Sequence, residues 1–158
     1  MKKNFILIIC GILLLFCSCA SEFNRVYKTS DYAYKYEYAK ECFAKGKYSQ
    51  AISLLQELVT ILKGTDNAEE CLYMLAMSEY GSRDYESAAA TFKKYYASYP
   101  KGLYAEEASY YIGQSLYQST PGPRPDQTPT VGALNAFEQF LDFFPDSKLT
   151  PKAQASSL

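Results

Sequence analysis

Aromatic side chains recur at a fixed interval along this 158-residue chain, which contains 16 Tyr and 9 Phe. One set, with a step of 37 residues, consists of Tyr36, Tyr73 and Tyr110. A second set, with the same step, consists of Phe43, Tyr80 and Tyr117. A tyrosine presents a flat apolar ring and a polar tip at low entropic cost, which suits the capture of peptides. The pattern therefore favours recognition of another polypeptide.

Catalytic chemistry is poorly supported by the sequence. The chain has no His, so the commonest general base and the usual zinc ligand are both lacking, and it has no glycine-rich phosphate loop. Two matched acidic pairs, Glu69–Glu70 and Glu106–Glu107, lie near predicted helix starts, where they favour the helix dipole. We therefore expect no enzyme, no metal and no cofactor. The formal charge of −1 gives no basic footprint for nucleic acid.

The first residues resemble the leader of a bacterial lipoprotein. Two lysines precede an apolar run over 5–16, which is too short to span a bilayer as a helix and has the length of a signal-peptide core. Cys19 follows a small residue, as in the lipobox, so 1–18 is the predicted signal peptide, Cys19 the predicted acylated residue and 19–30 the predicted tether. Two or three acyl chains would anchor the protein stably to a membrane, and Ala rather than Asp after Cys19 favours the outer membrane. An ordinary secreted protein is the alternative.

Small residues mark a repeating unit in the rest of the chain. Alanines at one position of the unit, separated by 37 and 45 residues, are Ala51, Ala88 and Ala133. Small residues upstream of them, 37 residues apart each time, are Ala39, Ala76 and Gly113. The eight additional residues of the third unit fall within 119–130, where four of the seven prolines predict a loop. Small residues at the upstream positions would let two helices approach closely.

These residues resemble the tetratricopeptide repeat, a family in which antiparallel helix pairs stack into a solenoid. Hydrophobic periodicity agrees and predicts helices over about 32–45, 48–62, 67–81, 84–98, 104–118 and 130–144. The predicted fold class is all-α. The predicted repeat domain covers 31–158, with repeats at about 32–65, 69–102 and 106–147 and a Pro-rich insertion at 119–130. A non-repeating helical bundle is the alternative.

The segment from 148 predicts the opening of a fourth, truncated repeat, in which Ala153 takes the place of Ala108. A solenoid needs a polar cap at its end. We therefore expect a shortened product of a longer gene, less stable and more prone to aggregate than the whole. Its last predicted full-length helix should lack the partner that covers Phe137, Phe140, Leu141 and Phe144.

The tetratricopeptide resemblance implies a concave groove lined by positions 5, 9 and 12 of the first helix in each pair. The residues at these positions are the candidate peptide-binding residues: Tyr36, Lys40, Phe43, Tyr73, Met77, Tyr80, Tyr110, Gln114 and Tyr117. Alternatively, the rings fill the floor of the groove as internal packing. Exposure of the three position-5 tyrosines would support the groove, and full burial of all three would remove it.

Two cysteines of the repeat region, Cys42 and Cys71, lie at positions 11 and 3 of adjacent first helices. Eight positions correspond to an axial offset of about 12 Å between roughly parallel helices. A disulfide requires Cα atoms within about 7 Å of each other. We therefore expect two buried free thiols.

A closer resemblance rests on three segments together with the lipobox and the repeats. The segments are the run YPKGLYAEEA at 99–108, the loop motif Asp126-Gln127-Thr128, and FPDS at 144–147. They are similar to the BamD family, lipoproteins of the β-barrel assembly machinery in the outer membrane. The resemblance covers essentially the whole chain and about the N-terminal half of the family's length.

This resemblance implies a non-enzymatic scaffold anchored to the periplasmic face of the outer membrane. The implied partners are a BamA-like barrel protein, which the C-terminal repeats of the family contact, other lipoproteins of the machinery, and unfolded segments of outer-membrane proteins. The N-terminal repeats would meet the targeting signals of those segments. The alternative is another periplasmic tetratricopeptide adaptor of cell-envelope maintenance or transport, of the Tol-Pal-associated type.

Overall fold

The structure is a computed structural model that describes residues 22–119 and 130–157. The regular structure in these two ranges is helical throughout. The predicted signal peptide, Cys19, and the loop motif Asp126, Gln127 and Thr128 lie outside the described residues. The predicted all-α class is confirmed.

Helices follow one another with short connections. A first helical segment, α1, covers 22–28. The remaining helices are α2 (Tyr32–Ala44), α3 (Tyr48–Ile61), α4 (Ala68–Gly81), α5 (Tyr85–Ser98), α6 (Ala105–Gln118), α7 (Val131–Phe143) and α8 (Thr150–Ser156). Each of the six predicted helices is confirmed, with both ends within one residue of the prediction. We term α2, α4 and α6 the first helices and α3, α5 and α7 the second helices.

Local chemistry explains where these helices begin. Asp31 precedes α2 and its carboxylate accepts a hydrogen bond from the backbone N–H of Tyr34 at 3.0 Å. Asp84 does the same for Ser87 at the start of α5, at 3.2 Å. Such capping satisfies a donor that has no partner inside the helix. The two aspartates therefore fix where α2 and α5 begin.

The turns within the first two pairs share an unusual backbone conformation. Gly46 and Arg83, which are 37 residues apart, have φ values of 69° and 67°. In this left-handed region the helix can end and the chain can reverse at once, and glycine enters it without steric cost. The hydrogen bonds Lys47 N–H to Cys42 C=O, at 2.8 Å, and Asp84 N–H to Glu79 C=O, at 2.9 Å, close the two turns in the same way. The repeat is thus visible in backbone geometry as well as in sequence.

Each helix packs on its neighbours in chain order, from α2 to α8. The buried side chains form three clusters, centred on the α2–α3, α4–α5 and α6–α7 pairs. Val59 packs against both the first and second clusters, and Tyr111 packs against both the second and third. The pairs therefore bury their apolar faces by stacking on one another, as a solenoid does.

The small residues of the repeat lie where helices touch. Ala39 and Ala76 have no exposed surface. At the corresponding place in α6, a Cβ atom on Gly113 would lie 2.7 Å from Cδ1 of the Phe137 ring, which is itself fully buried. The predicted close approach of the paired helices is therefore present, and in the third pair it is tight enough to require glycine.

The N-terminal end of the stack is covered by α1. Val26 is fully buried in the first cluster. The buried ammonium group of Lys35 donates hydrogen bonds to the Tyr27 carbonyl at 3.0 Å and to the Glu57 carboxylate at 2.7 Å. The segment predicted as a tether thus contains a helix that packs on the first repeat.

The C-terminal end differs from expectation. Phe137 and Phe140 have no exposed surface, so the prediction that both would lack cover is wrong. The rings pack with Tyr110 of α6 and with Ala153 of α8, the short helix that begins the predicted fourth repeat. Phe143, on the outer side of α7, is 67% exposed. Within the described ranges, no helix has both the length and the apolar character needed to cross a membrane.

We expect Gly113→Ala to lower the free energy of unfolding. Displacing the buried Phe137 ring should cost about 1–3 kcal/mol, and the higher helix propensity of alanine offsets about 1 kcal/mol of this at most. Gly132→Ala in α7 is the matched control, because a Cβ atom there would meet nothing closer than Leu116 Cδ1 at 3.9 Å. Urea unfolding followed by circular dichroism would measure both variants. Equal stability of the two would contradict the tight contact.

Candidate functional site

The three position-5 tyrosines of the first helices are buried. Tyr36, Tyr73 and Tyr110 are 3%, 8% and 7% exposed. This is the outcome that removes a groove lined by the position-5 rings, so the alternative of internal packing holds for these three tyrosines. The reason is that each ring lies between adjacent helices, where it packs in a cluster. Positions 9 and 12 remain as the candidates for an accessible surface on the first helices.

Two of these tyrosines are held by the next repeat. The hydroxyl of Tyr36 donates a hydrogen bond to Glu70 Oε2 at 2.6 Å. Tyr73 donates in the same way to Glu107, again 34 residues further along the chain. Tyr110 differs, because its hydroxyl donates to Gln114 on its own helix, at 3.4 Å. The first two contacts connect α2 to α4 and α4 to α6.

The other member of each acidic pair binds the segment that follows the second helix. Glu69 accepts hydrogen bonds from the Tyr95 hydroxyl and, at 2.6 Å, from the backbone N–H of Leu103. The Tyr95 hydroxyl in turn accepts from the N–H of Tyr104 at 3.0 Å. Glu106 accepts from the Ser147 hydroxyl in the corresponding segment of the third pair. The acidic pairs thus make tertiary contacts in addition to lying at helix starts.

Burial controls the protonation of the tyrosines in these contacts. It raises the pKa of Tyr36, Tyr73 and Tyr95 well above the ordinary value of 10.0, and the adjacent carboxylates raise it further. A phenolate beside a carboxylate would place two negative charges together. The three hydroxyls therefore remain hydrogen-bond donors throughout the physiological pH range.

Position 9 supplies the half-buried side chains Lys40, Met77 and Gln114. The ammonium group of Lys40 lies 2.7 Å from a Glu37 carboxylate oxygen and 5.0 Å from the centre of the Tyr36 ring. Its charge is therefore partly satisfied within the chain. The three side chains occupy equivalent places on successive first helices, so each can contribute to one continuous surface.

Position 12 carries rings that are also half-buried: Phe43, Tyr80 and Tyr117. Phe43 lies 6.3 Å from the Tyr48 ring, and Tyr80 lies 5.3 Å from the Tyr85 ring, measured between centroids. Each of these contacts joins the end of a first helix to the start of its second helix. Position 12 therefore combines internal packing with partial exposure. The six residues at positions 9 and 12 are termed here the first-helix face.

Tyr111 is a further aromatic residue at this surface, and the repeat positions did not identify it. Its ring stacks on Phe92 at 5.4 Å and meets Tyr80 edge-on at 4.9 Å. It therefore connects the first-helix face of α4 to the next helix pair. Tyr111 directly follows Tyr110, a position-5 residue. This adjacency was the feature of the sequence from which Tyr111 could have been identified.

Cys42 and Cys71 are free and buried, which confirms the prediction for these two thiols. Burial raises the pKa of the Cys71 thiol to about 12. Burial also raises the pKa of Cys42. Since the thiolate is the nucleophile, neither cysteine has the properties of a reactive one.

Comparisons with known proteins agree on one family. The YfiO family, described as outer membrane lipoprotein, matches residues 28–156. A protein of Aquifex aeolicus (strain VF5), named as an outer membrane protein assembly factor, BamD, is 31% identical over 126 residues. The matched region covers 78% of this chain and 40% of that protein, so the chain spans less than half of its relative's length.

We expect the stability of the chain to fall above pH 10. A tyrosine whose pKa is raised in the folded state keeps its proton there while the unfolded chain releases it, so the stabilisation is present below the ordinary pKa of 10.0 and is lost as pH rises above it. Each such tyrosine lowers the free energy of unfolding by about 1.4 kcal/mol per pH unit in this range. Urea titrations between pH 8 and pH 11 would measure the slope.

Tyr73→Phe should reduce this slope and should also cost about 1–3 kcal/mol at pH 7, because the Glu107 carboxylate loses a donor. Tyr34→Phe, at a residue that is 41% exposed, is the matched control and should leave the free energy of unfolding at pH 7 nearly unchanged. Parallel pH profiles for Tyr73→Phe and the unmodified chain would show that Tyr73 is not protected as described.

Proposed function

Because the chain belongs to the YfiO family of outer membrane lipoproteins, we propose that it is a lipid-anchored scaffold of the β-barrel assembly machinery. In this proposal it has no catalytic role and faces the periplasm. It receives unfolded segments of outer-membrane proteins on its repeats. The similarity to a relative named as an outer membrane protein assembly factor supports the proposal.

The first-helix face is the observation that carries the peptide-binding part of the proposal. Its members recur at intervals of 37 residues on helices that stack in order: Lys40, Phe43, Met77, Tyr80, Gln114 and Tyr117. They combine aromatic rings, a flexible thioether and two polar groups. Partly accessible rings with nearby hydrogen-bonding groups suit extended peptides whose side chains vary. The hydrogen bonds between repeats hold these groups in a fixed register before any ligand arrives, which lowers the entropic cost of binding.

The membrane anchor in this proposal is an acylated Cys19. Helix α1 is described from residue 22 onward, and three residues of extended chain reach at most about 11 Å. The first repeat would then lie close to the lipid headgroups.

The proposed partners are a BamA-like barrel protein and the other lipoproteins of the assembly machinery. Affinity capture of the full-length protein from detergent-solubilised outer membrane tests this assignment. Recovery of a large barrel protein with the other lipoproteins is expected. Recovery of Tol-Pal or transport components alone would overturn it.

Peptide binding is tested separately with a fluorescein-labelled peptide from the C-terminal strand of an outer-membrane barrel protein. We expect Met77→Gln combined with Gln114→Ala to raise the Kd about fivefold to tenfold, since truncating a few central contacts costs about 1 kcal/mol or more. Lys152→Gln on α8, at an exposed lysine, is the control and should bind as the unmodified chain does. Equal Kd values by fluorescence anisotropy for both variants would exclude the first-helix face as the binding surface.

A further inference from the structure

Two grooves lie on the side of the stack formed by the second helices. The first, the α3–α5 groove, has walls from α3 and α5 and a floor from the start of α4, with a volume of about 280 Å³. The second, the α5–α7 groove, has walls from α5 and α7 and a floor from α6, with a volume of about 460 Å³. Helix α5 separates them. We call the two together the outer grooves.

Lysines line both outer grooves. Lys63 and Lys94 line the α3–α5 groove, and Lys93 lines the α5–α7 groove. Among the described residues, no carboxylate lines either groove, although the whole chain carries one more acidic than basic residue. The three lysines are exposed, and none of them takes part in the ion pairs found among the described residues.

The walls and floors of the grooves are largely apolar. Val59 and the nearly buried Leu72 line the α3–α5 groove. Ile112 and Leu116 line the α5–α7 groove, with Tyr96 on its wall. A ligand for this surface must therefore offer negative charge to the lysines and apolar groups to the floor.

An extended polypeptide meets both requirements better than a membrane does. The floors are recessed between helices, so a flat array of headgroups would reach the lysines and leave the apolar floors uncovered. Successive second helices are separated by two helix packing distances, about 20 Å at most. An extended segment of about six residues covers that distance at about 3.3 Å per residue.

We propose that the outer grooves bind an extended acidic segment of another polypeptide. Its carboxylates pair with Lys63, Lys93 and Lys94, and its intervening apolar side chains lie on the groove floors. This site lies on the second helices and is separate from the first-helix face. It therefore does not depend on the peptide-binding function proposed above.

The test uses the full chain in detergent and a fluorescein-labelled peptide of twelve residues in which Asp alternates with Leu. We expect saturable binding that weakens as NaCl is raised, because exposed charge pairs are screened by salt. The double variant Lys63→Glu, Lys94→Glu should raise the Kd at least about tenfold, since like charges face each other in the variant complex. The control Lys148→Glu, Lys152→Glu makes the same change in net charge at two other exposed lysines and should retain binding.

Three results would overturn the proposal. The first is equal loss of binding in the two double variants, which would indicate an effect of net charge alone. The second is equal affinity for a matched peptide in which Lys replaces Asp. The third is binding of the chain to phosphatidylglycerol vesicles through Lys63 and Lys94 without binding of the acidic peptide, which would assign the surface to a membrane.

Circular dichroism would confirm that the variants are folded. Unchanged binding of the acidic peptide by Met77→Gln, Gln114→Ala would separate this site from the first-helix face.

Discussion

Two pairs of adjacent glutamates fix the register in which the helix pairs stack. Glu70 and Glu107 accept hydrogen bonds from tyrosines on the preceding first helix, whereas Glu69 and Glu106 accept from groups of their own repeat. Hydrogen bonds to charged groups contribute about 1.5–3 kcal/mol and depend on direction. Apolar contacts among alanines and aromatic rings supply most of the burial but tolerate small slides. The carboxylates therefore select one arrangement from those that the apolar surfaces would allow.

The helices were predictable because their signals are local or strictly periodic. Apolar stripes and the 37-residue interval of small residues placed every predicted helix end within one residue. The orientation of the position-5 tyrosines was not predictable in this way. For all three rings it depends on packing between adjacent helices, and for Tyr36 and Tyr73 also on a glutamate 34 residues away. The matching period of the Tyr and Glu positions gives no information about which side of a helix is covered. The cover of Phe137 and Phe140 by a short terminal helix likewise depends on contacts that no local pattern encodes.

The third repeat shows what happens when one part of the pattern is missing. With the eight-residue insertion counted, the place that corresponds to Glu70 and Glu107 is position 152, which is a lysine. Tyr110 accordingly bonds within its own helix, to Gln114, over a longer distance of 3.4 Å. The α7–α8 junction is instead packed through Phe137, Phe140 and the fully buried Ala153. Apolar packing maintains the stack at this junction together with a hydrogen bond from the Thr150 hydroxyl to the Phe144 carbonyl at 3.0 Å, and the Tyr110 hydroxyl makes no bond to the following repeat of the kind seen at Tyr36 and Tyr73.

Stacking also connects the proposed peptide surface to the stability of the whole array. The Tyr80 ring on α4 contacts Tyr111 on α6, which stacks on Phe92 of α5. A peptide that engages Tyr80 therefore contacts the junction between the second and third pairs, and not a single repeat. If peptide binding is stronger when this junction is formed, then a bound peptide stabilises the junction by the same free energy, because such coupling is reciprocal. In a repeat array, stability is a sum of unit and neighbour contributions. The contacts of Tyr80 and Tyr111 therefore contribute both to the stability of the stack and to the affinity of its surface for a peptide.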